Sequence, residues 1–249
     1  NARARCTVGA ASGAVPVRLR ALSAARDAVW SSSRSSRASD VSIPAILVAG
    51  THGLRDFEAL DKAAAAALPW WHPRSLFGQA AVAAGVTLID PTEPFIWSTE
   101  LDGVAGENLA WYGGGAALRY FARERPVSVI THSHGGSVAI FAAAQGLLID
   151  VLVTVATPVR RDMLRFRRRA RPNVRRWVHI YAPNDPAQRA GAVGDGDWPW
   201  NRRREMPEAD LNVPEPGLSV LTGHSDLMDV ARWTARGWWA FVRPTEQED

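Results

Sequence analysis

The chain has 249 residues, of which 47% are hydrophobic, and its formal net charge is +4. These values predict a single α/β domain with one large core. The single cysteine, Cys6, excludes an intrachain disulfide, and no apolar run approaches the roughly 18 residues that a membrane-spanning helix needs. We therefore expect a soluble protein, cytoplasmic rather than secreted, whose oligomeric state the sequence does not determine.

The first 40 residues are predicted to form an extension before the main domain. They begin at Asn1 and include several arginines but no continuous apolar segment, so no intact signal peptide is indicated. Helical spacing of apolar residues predicts a short amphipathic helix between residues 19 and 30, and the polar residues 31–40 predict a loop. The main domain is expected over residues 41–249.

Short apolar stretches alternate with helical segments through the main domain. Strands are predicted over residues 42–49, 86–89, 127–130, 150–156 and 177–181. A helix is predicted over residues 107–125, with the glycines at 113–115 expected to loosen its first half. Strands separated by helices indicate a mostly parallel sheet with helices on both faces, where chemistry collects at the carboxyl ends of the strands.

The residues 131–136, Thr-His-Ser-His-Gly-Gly, place Ser133 between a β-branched stretch and an apolar helix former. A strand that turns directly into a helix strains its turning residue and requires small neighbours, and Gly135 meets that requirement. The helix N-terminus also directs N–H groups toward developing negative charge. The pattern favours a nucleophile over a serine N-cap, although Thr131 stands where the usual Gly-x-Ser-x-Gly pattern has glycine.

A nucleophilic serine needs a base that a third group orients. Asp185 follows the predicted strand 177–181 in a turn-rich loop, and His224 lies in a glycine-flanked loop before an amphipathic C-terminal helix. The chain order serine, aspartate, histidine is typical of one fold family. Other aspartates remain alternatives for the acid: Asp195, Asp197, Asp210 and Asp226.

Over residues 41–243 the chain resembles the α/β-hydrolases of the lipase and esterase type. The matching segments, in chain order, are an oxyanion loop (48–54), the nucleophile elbow (131–136), an acid loop (184–185) and a histidine loop (223–225). The resemblance implies the α/β-hydrolase fold and a two-step hydrolysis. In that reaction Ser133 would attack an ester, His224 would transfer its proton, and Asp185 would orient His224.

The same resemblance implies roles for residues around the triad. The backbone N–H groups of Leu54 and His134 would hold the oxyanion, and His52 would support the oxyanion loop beside the substrate pocket. Phe95 and Trp97 are predicted to be either ordinary core or a wall of that pocket. The histidines on either side of the serine are not expected to bind a metal, because they would diverge across the turn with no third ligand nearby.

An arginine-rich segment lies near residues 159–176, where nine arginines stand against one acid, Asp162. Such segments bind anionic surfaces or nucleic acids, but aromatic interleaving is poor and no nucleic-acid motif accompanies it. A solvated helix face is therefore favoured, and a cap or lid element over the site is a further interpretation. No nucleic-acid partner is expected, and transient contact with a lipid surface is left open.

These observations lead to one main hypothesis. The chain is expected to be a serine carboxylic-ester hydrolase that cleaves acyl or aryl esters of small molecules or lipids, with no metal or organic cofactor. The alternatives are an acyltransferase, thioesterase or amidase that uses the same triad. A third class is a non-catalytic hydrolase-fold protein that binds acidic partners.

Overall fold

The computed structural model describes residues 43–50, 68–97, 103–190, 204–220 and 222–242, with backbone only for 103–109 and 189–190. The predicted N-terminal helix and loop lie outside these ranges. So do four of the residues singled out from the sequence: His52, Leu54, Asp195 and Asp197.

Five strands form one parallel sheet whose spatial order follows the chain order. The strands are β1 (Ala45–Val48), β2 (Val127–His132), β3 (Ile149–Val155), β4 (Val174–Tyr181) and β5 (Leu211–Pro214). This confirms the predicted α/β class with a parallel sheet. The edge strand β5 was not predicted, because its four residues are partly exposed and end in proline, a composition that reads as a loop.

The predicted strand over residues 86–89 is wrong in extent. Only a single parallel bridge forms, between Leu88 and Ala45 of β1. The pairing stops because Asp90 folds the chain back, its Oδ1 accepting hydrogen bonds from the N–H groups of Thr92 and Glu93. Leu88 lies at one edge of β1, and β2 pairs with the other edge. The chain therefore continues to opposite sides of β1, and such a topological switch point leaves a crevice at the carboxyl ends of the strands.

Helices follow most of the strands. They are α1 (Leu76–Ala83), α2 (Gly103–Phe121), α3 (Gly135–Ala144), α4 (Leu164–Ala170), α5 (Pro186–Ala190), α6 (Gly223–Asp226) and α7 (Val230–Ala235). The predicted helix 107–125 corresponds to α2, which ends earlier because Arg123 and Glu124 both adopt a positive φ of 53°. The expected loosening does not occur, since Gly115 lets α2 pack closely on α3: a Cβ there would lie 2.9 Å from the backbone nitrogen of Ala142.

Two hydrophobic clusters cover the two faces of the sheet. Alternate residues of β1 belong to different clusters, Ile46 and Val48 to one and Ala45 and Leu47 to the other. The first cluster includes side chains of α2, α3 and α4, and the second includes those of α1 and α7. Helices therefore lie on both faces, as expected. In the described part of the chain no helix has both the length and the apolar composition to cross a bilayer.

Candidate active site

Ser133 is the residue at which β2 turns into α3. Its φ is 51°, in the left-handed region that side chains with a Cβ rarely adopt and that costs on the order of 1–3 kcal/mol. Its N–H donates to the carbonyl of Val155 in β3 at 2.8 Å, and its carbonyl accepts from Gly136 at 3.1 Å. The N-cap of α3 is His134, not Ser133, so the serine is held in a strained turn and is not an ordinary helix cap.

Close backbone contacts explain the small residues around this turn. A Cβ at Gly135 would lie 2.3 Å from the carbonyl oxygen of Ala49, and a Cβ at Gly50 would lie 2.8 Å from the Cβ of Ser133. Thr131, the departure from the usual pattern, is fully buried and its Oγ1 donates to the carbonyl of Val153 at 3.2 Å. A threonine is therefore accommodated where glycine was expected.

Replacing Gly135 with alanine is expected to lower the free energy of unfolding by about 3 kcal/mol or more, because the new methyl group would overlap two backbone carbonyl oxygens. Gly113 on α2 is the matched control, since a Cβ there meets nothing within 4 Å. Gly113→Ala should raise stability by about 0.5–1 kcal/mol. Urea denaturation of both variants measures the difference, and equal stabilities would show that the elbow tolerates a Cβ.

A second residue with positive φ supports the elbow from the adjacent strand. Ala156, just after β3, has a φ of 50°, and its N–H donates to Ile180 of β4 at 2.8 Å. This turn brings Thr157 against α3, where a Cβ at Gly136 would lie 2.1 Å from the threonine Oγ1. Neighbouring strands thus end in the same way, and the second turn packs on the first helical turn after Ser133.

Asp185 and His224 form a direct hydrogen bond, with 2.6 Å between Oδ2 and Nδ1. A carboxylate only accepts, so Nδ1 carries the proton and Nε2 of a neutral His224 is left as the basic nitrogen. The side chain of Asp185 is fully buried, whereas that of His224 is 18% exposed. The ring is therefore oriented by a buried acid and remains accessible from solvent.

The surroundings of Asp185 favour its ionised form. Its Oδ1 accepts from the N–H groups of Ala187 and Gln188 at 2.8 and 3.0 Å, at the start of α5. Burial alone would raise the pKa of Asp185, but the hydrogen bond and charge of His224 and these two N–H donors hold it below its usual value. A carboxylate with a lowered pKa is ionised at neutral pH, which is what a triad requires to stabilise an imidazolium.

The alternative acids that the structure describes are engaged elsewhere. Asp210 accepts from the backbone N–H of Trp177 at 2.7 Å and pairs with Arg171. Asp226 accepts from the hydroxyl of Thr222 at 2.7 Å. Of the described candidates, Asp185 is the acid that contacts His224.

Gln188 and His179 fix the loop that carries Asp185. The side-chain amide of Gln188 is buried and donates to the carbonyl of Thr157 at 2.9 Å, which ties α5 to the end of β3. Nε2 of His179 lies 2.8 Å from the carbonyl of Arg204, and burial lowers the pKa of this ring to about 4. The amide nitrogen of Gln188 also lies 3.4 Å from Nε2 of His179, so Gln188 holds the acid loop beside the ends of β3 and β4.

Ser133 Oγ and the His224 ring are both described, and no hydrogen bond joins them in this structure. The link between elbow and histidine loop runs through His132 instead. Its Nε2 donates to the carbonyl of His224 at 2.9 Å, and the centroids of the two rings are 4.5 Å apart. Catalytic hydrogen bonds are often long without substrate, so this geometry is compatible with a serine that reaches its base when the site is filled.

The contact of His132 with the histidine loop was missed from the sequence, where His132 was considered only as a metal ligand. Part of the residue reaches solvent, yet burial of the ring lowers its pKa to about 3, and the nearby His224 adds to this effect. The ring therefore stays neutral at working pH and places no second charge beside the base. The contact spans 92 residues, so no local pattern could have revealed it.

Replacing His132 with leucine is expected to lower kcat by about 10-fold with little change in KM. The reason is that the partly buried carbonyl of His224 loses its donor, a defect worth about 1–3 kcal/mol. His132→Gln, which offers an amide N–H, should recover most of the loss. Steady-state kinetics across pH measures both variants, and a leucine variant with unchanged kcat and an unchanged pH profile would show that His132 only fills space.

His134 faces a different neighbourhood from His132. It is 7% exposed, and its ring lies against Trp111 with 4.9 Å between centroids, while the guanidinium of Arg160 lies 5.0 Å from the same indole. The two histidines beside the serine therefore diverge. His134 opens α3, and its assignment to the oxyanion hole through its N–H stays a prediction, as does that of Leu54.

Phe95 and Trp97 lie in the hydrophobic core, 3% and 4% exposed. The indole N–H of Trp97 donates to the carbonyl of Ala49 at 3.0 Å, which holds the backbone next to Gly50. The prediction that these residues belong to the core is confirmed, and their contribution to a pocket wall stays a prediction. His52, the other predicted pocket residue, lies outside the described ranges.

Comparison of the sequence with models of known protein families finds no match, and comparison with curated proteins finds none either. The function of the chain is therefore inferred from the geometry of the site.

Proposed function

We propose that this chain is a serine carboxylic-ester hydrolase with an α/β-hydrolase fold, in which Ser133 is the nucleophile. The observation that carries the proposal is the 2.6 Å hydrogen bond between the buried Asp185 and the accessible ring of His224. Ser133 lies in a strained strand-to-helix turn at the same end of the sheet as Asp185 and His224. A nucleophile, a base and an acid are the three groups that an acyl-transfer site needs.

The positions along the sheet support the same assignment. Ser133 follows β2, Asp185 follows β4, and His224 follows β5. All strands are parallel, so these residues lie at carboxyl ends, and β2 is one of the two strands beside the switch point. Ser133 thus has the crevice on one side, and Asp185 and His224 on the other. From this position it can reach an ester bound in the crevice.

The proposed reaction has two steps. The hydroxyl oxygen of Ser133 bonds to the ester carbonyl carbon while His224 Nε2 takes the hydroxyl proton. His224 then gives that proton to the departing alcohol. Water repeats the sequence on the acyl-enzyme, which releases the acid and restores the serine. Proton transfer of this kind contributes about 10²–10⁴ in rate, and Asp185 stabilises the imidazolium in both steps.

The oxyanion of each tetrahedral intermediate is expected at the N-terminus of α3. There the N–H of His134 and the positive end of the helix dipole favour negative charge. A second donor is proposed from the N–H of Leu54. Each such donor is typically worth about 10²–10³ in kcat.

The test uses the purified full chain with a fluorophosphonate probe and a series of p-nitrophenyl esters. We expect stoichiometric labelling, mapped to Ser133 by mass spectrometry, together with ester cleavage. Matched thioester and amide substrates, with and without an alcohol acceptor, distinguish hydrolysis of esters from the other reactions of the same triad. A chain that is neither labelled nor active would support the non-catalytic binding alternative.

A further inference from the structure

Seven of the nine arginines between residues 159 and 176 fall into two sets. The first set is paired with acids: Arg160 with Asp162, Arg167 with Glu208, Arg171 with Asp210, and Arg175 with Asp150. The second set is exposed on α4 and makes no hydrogen bond or ion pair with any described residue; we call it the arginine stripe, and its members are Arg165, Arg168 and Arg169.

The stripe occupies one side of α4. Its members are spaced at i, i+3 and i+4, so they share a face, while Arg167 and Ala170 turn the opposite face into the core. No acidic residue occurs between Asp162 and Asp185, so the segment offers the stripe no local counter-charge. The result is a compact positive surface whose members form no ion pair in the described part of the chain.

Helix stability does not explain this arrangement. Like charges at i, i+3 and i+4 repel each other, so each of these pairs weakens the helix. Arg165 also lies in the first turn, where the positive end of the helix dipole disfavours a cation, although Arg168 and Arg169 lie in the last turn, where it favours one. A negatively charged partner would remove the repulsion and is the simplest physical reason for the stripe.

Aromatic side chains extend the surface on one side. The guanidinium of Arg165 lies 4.5 Å over the ring of Phe166, which packs 4.3 Å from Phe141. Tyr112 of α2 contacts the same Phe141 edge-on at 5.8 Å and is 54% exposed. Arginine and tyrosine side chains place an apolar body and a polar tip across the boundary between water and lipid headgroups.

We propose that the arginine stripe and Tyr112 bind the surface of an anionic lipid bilayer. The charges complement acidic headgroups, and each basic residue near such a surface adds to the attraction. The seven residues of α4 span only about 10 Å and pack side-on against α3, a geometry that suits a flat surface better than a nucleic-acid groove. This binding does not depend on the proposed hydrolase activity.

Side-chain contacts run from the segment before α4 to the candidate active site. Arg160, in the segment that leads into α4, lies over Trp111, and Trp111 contacts His134, the residue after Ser133. If the chain is also an ester hydrolase, binding at the stripe would bring it to a surface that contains lipid esters. The binding experiment is therefore designed so that it does not use catalysis as its readout.

The experiment measures flotation of the full chain with phosphatidylcholine vesicles that contain or lack phosphatidylglycerol. Arg165→Glu/Arg168→Glu is the test variant, and Arg123→Glu/Arg125→Glu is the control, because it changes two exposed arginines beyond α2 and alters the net charge equally. We expect binding that requires phosphatidylglycerol and weakens with salt. In the test variant binding should fall at least about 25-fold, from a factor of about five for each of the two arginines. The control should bind as the unmodified chain does.

Three outcomes would overturn the proposal: equal binding to neutral vesicles, equal loss in both variants, or binding to duplex DNA without binding to vesicles. If charge reversal lowers the melting temperature, Arg165→Gln/Arg168→Gln replaces it, with a smaller loss expected. Ser133→Ala should bind vesicles normally. Loss of activity with retained vesicle binding thus separates a catalytic failure from a failure of this surface.

Discussion

Ser133→Ala is expected to lower kcat/KM for p-nitrophenyl esters by about 10⁶-fold, because a triad without its nucleophile retains only the contribution of binding and the oxyanion hole. The substitution removes one partly exposed hydroxyl that makes no hydrogen bond to the other described residues, so the melting temperature should change little. The loss would then be chemical and not structural. Steady-state kinetics with active-site titration measures it.

Ser137 provides the matched control. It lies on α3 only four residues along the chain, is 1% exposed, and its Oγ has no hydrogen-bond partner in the described part of the chain. Ser137→Ala should therefore keep full activity and probe labelling, with stability unchanged or slightly raised. If Ser133→Ala kept its activity, or if both variants lost it, Ser133 would not be the nucleophile.

The elements predicted correctly are those whose formation depends on residues close together in the chain. The elbow at Ser133 was predictable because a β-branched strand, small residues and an apolar helix adjoin within a few positions, and each is required by sterics. By contrast, β5 is an exposed edge strand that forms by pairing with β4, and its own residues do not specify it. Gly114 and Gly115 of α2 were misread for the same reason, since their close contact with α3 is a tertiary effect.

The candidate site divides in the same way. Asp185 and His224 were predicted from their loops and their order in the chain, but only the fold shows that Asp185, and not Asp210 or Asp226, contacts His224. The contact of His132 with the backbone of His224, and that of Gln188 with Thr157, join residues distant in sequence. Positioning residues of this kind have no spacing that a sequence alone could display.

Asp185→Asn is expected to lower kcat by about 10⁴-fold, and the neighbouring hydrogen bonds explain why. Oδ1 of Asp185 accepts from the N–H groups of Ala187 and Gln188, so the carbonyl oxygen of an asparagine must occupy that position. Its amide nitrogen then faces Nδ1 of His224 and can only donate to it. The histidine is forced to protonate Nε2, and the nitrogen facing the serine can no longer accept a proton.

Measured kinetics and melting temperatures for Asp185→Asn should therefore show a folded protein with a large loss in kcat. Asp226→Asn is the control, because Asp226 lies two residues from His224 and its carboxylate accepts a side-chain hydrogen bond only from Thr222 in the described part of the chain. That variant should keep its kcat within a few fold. If Asp185→Asn instead kept kcat within about 10-fold, Asp195 or Asp197 would become the acid, since tautomer control is worth far more than that in a serine triad.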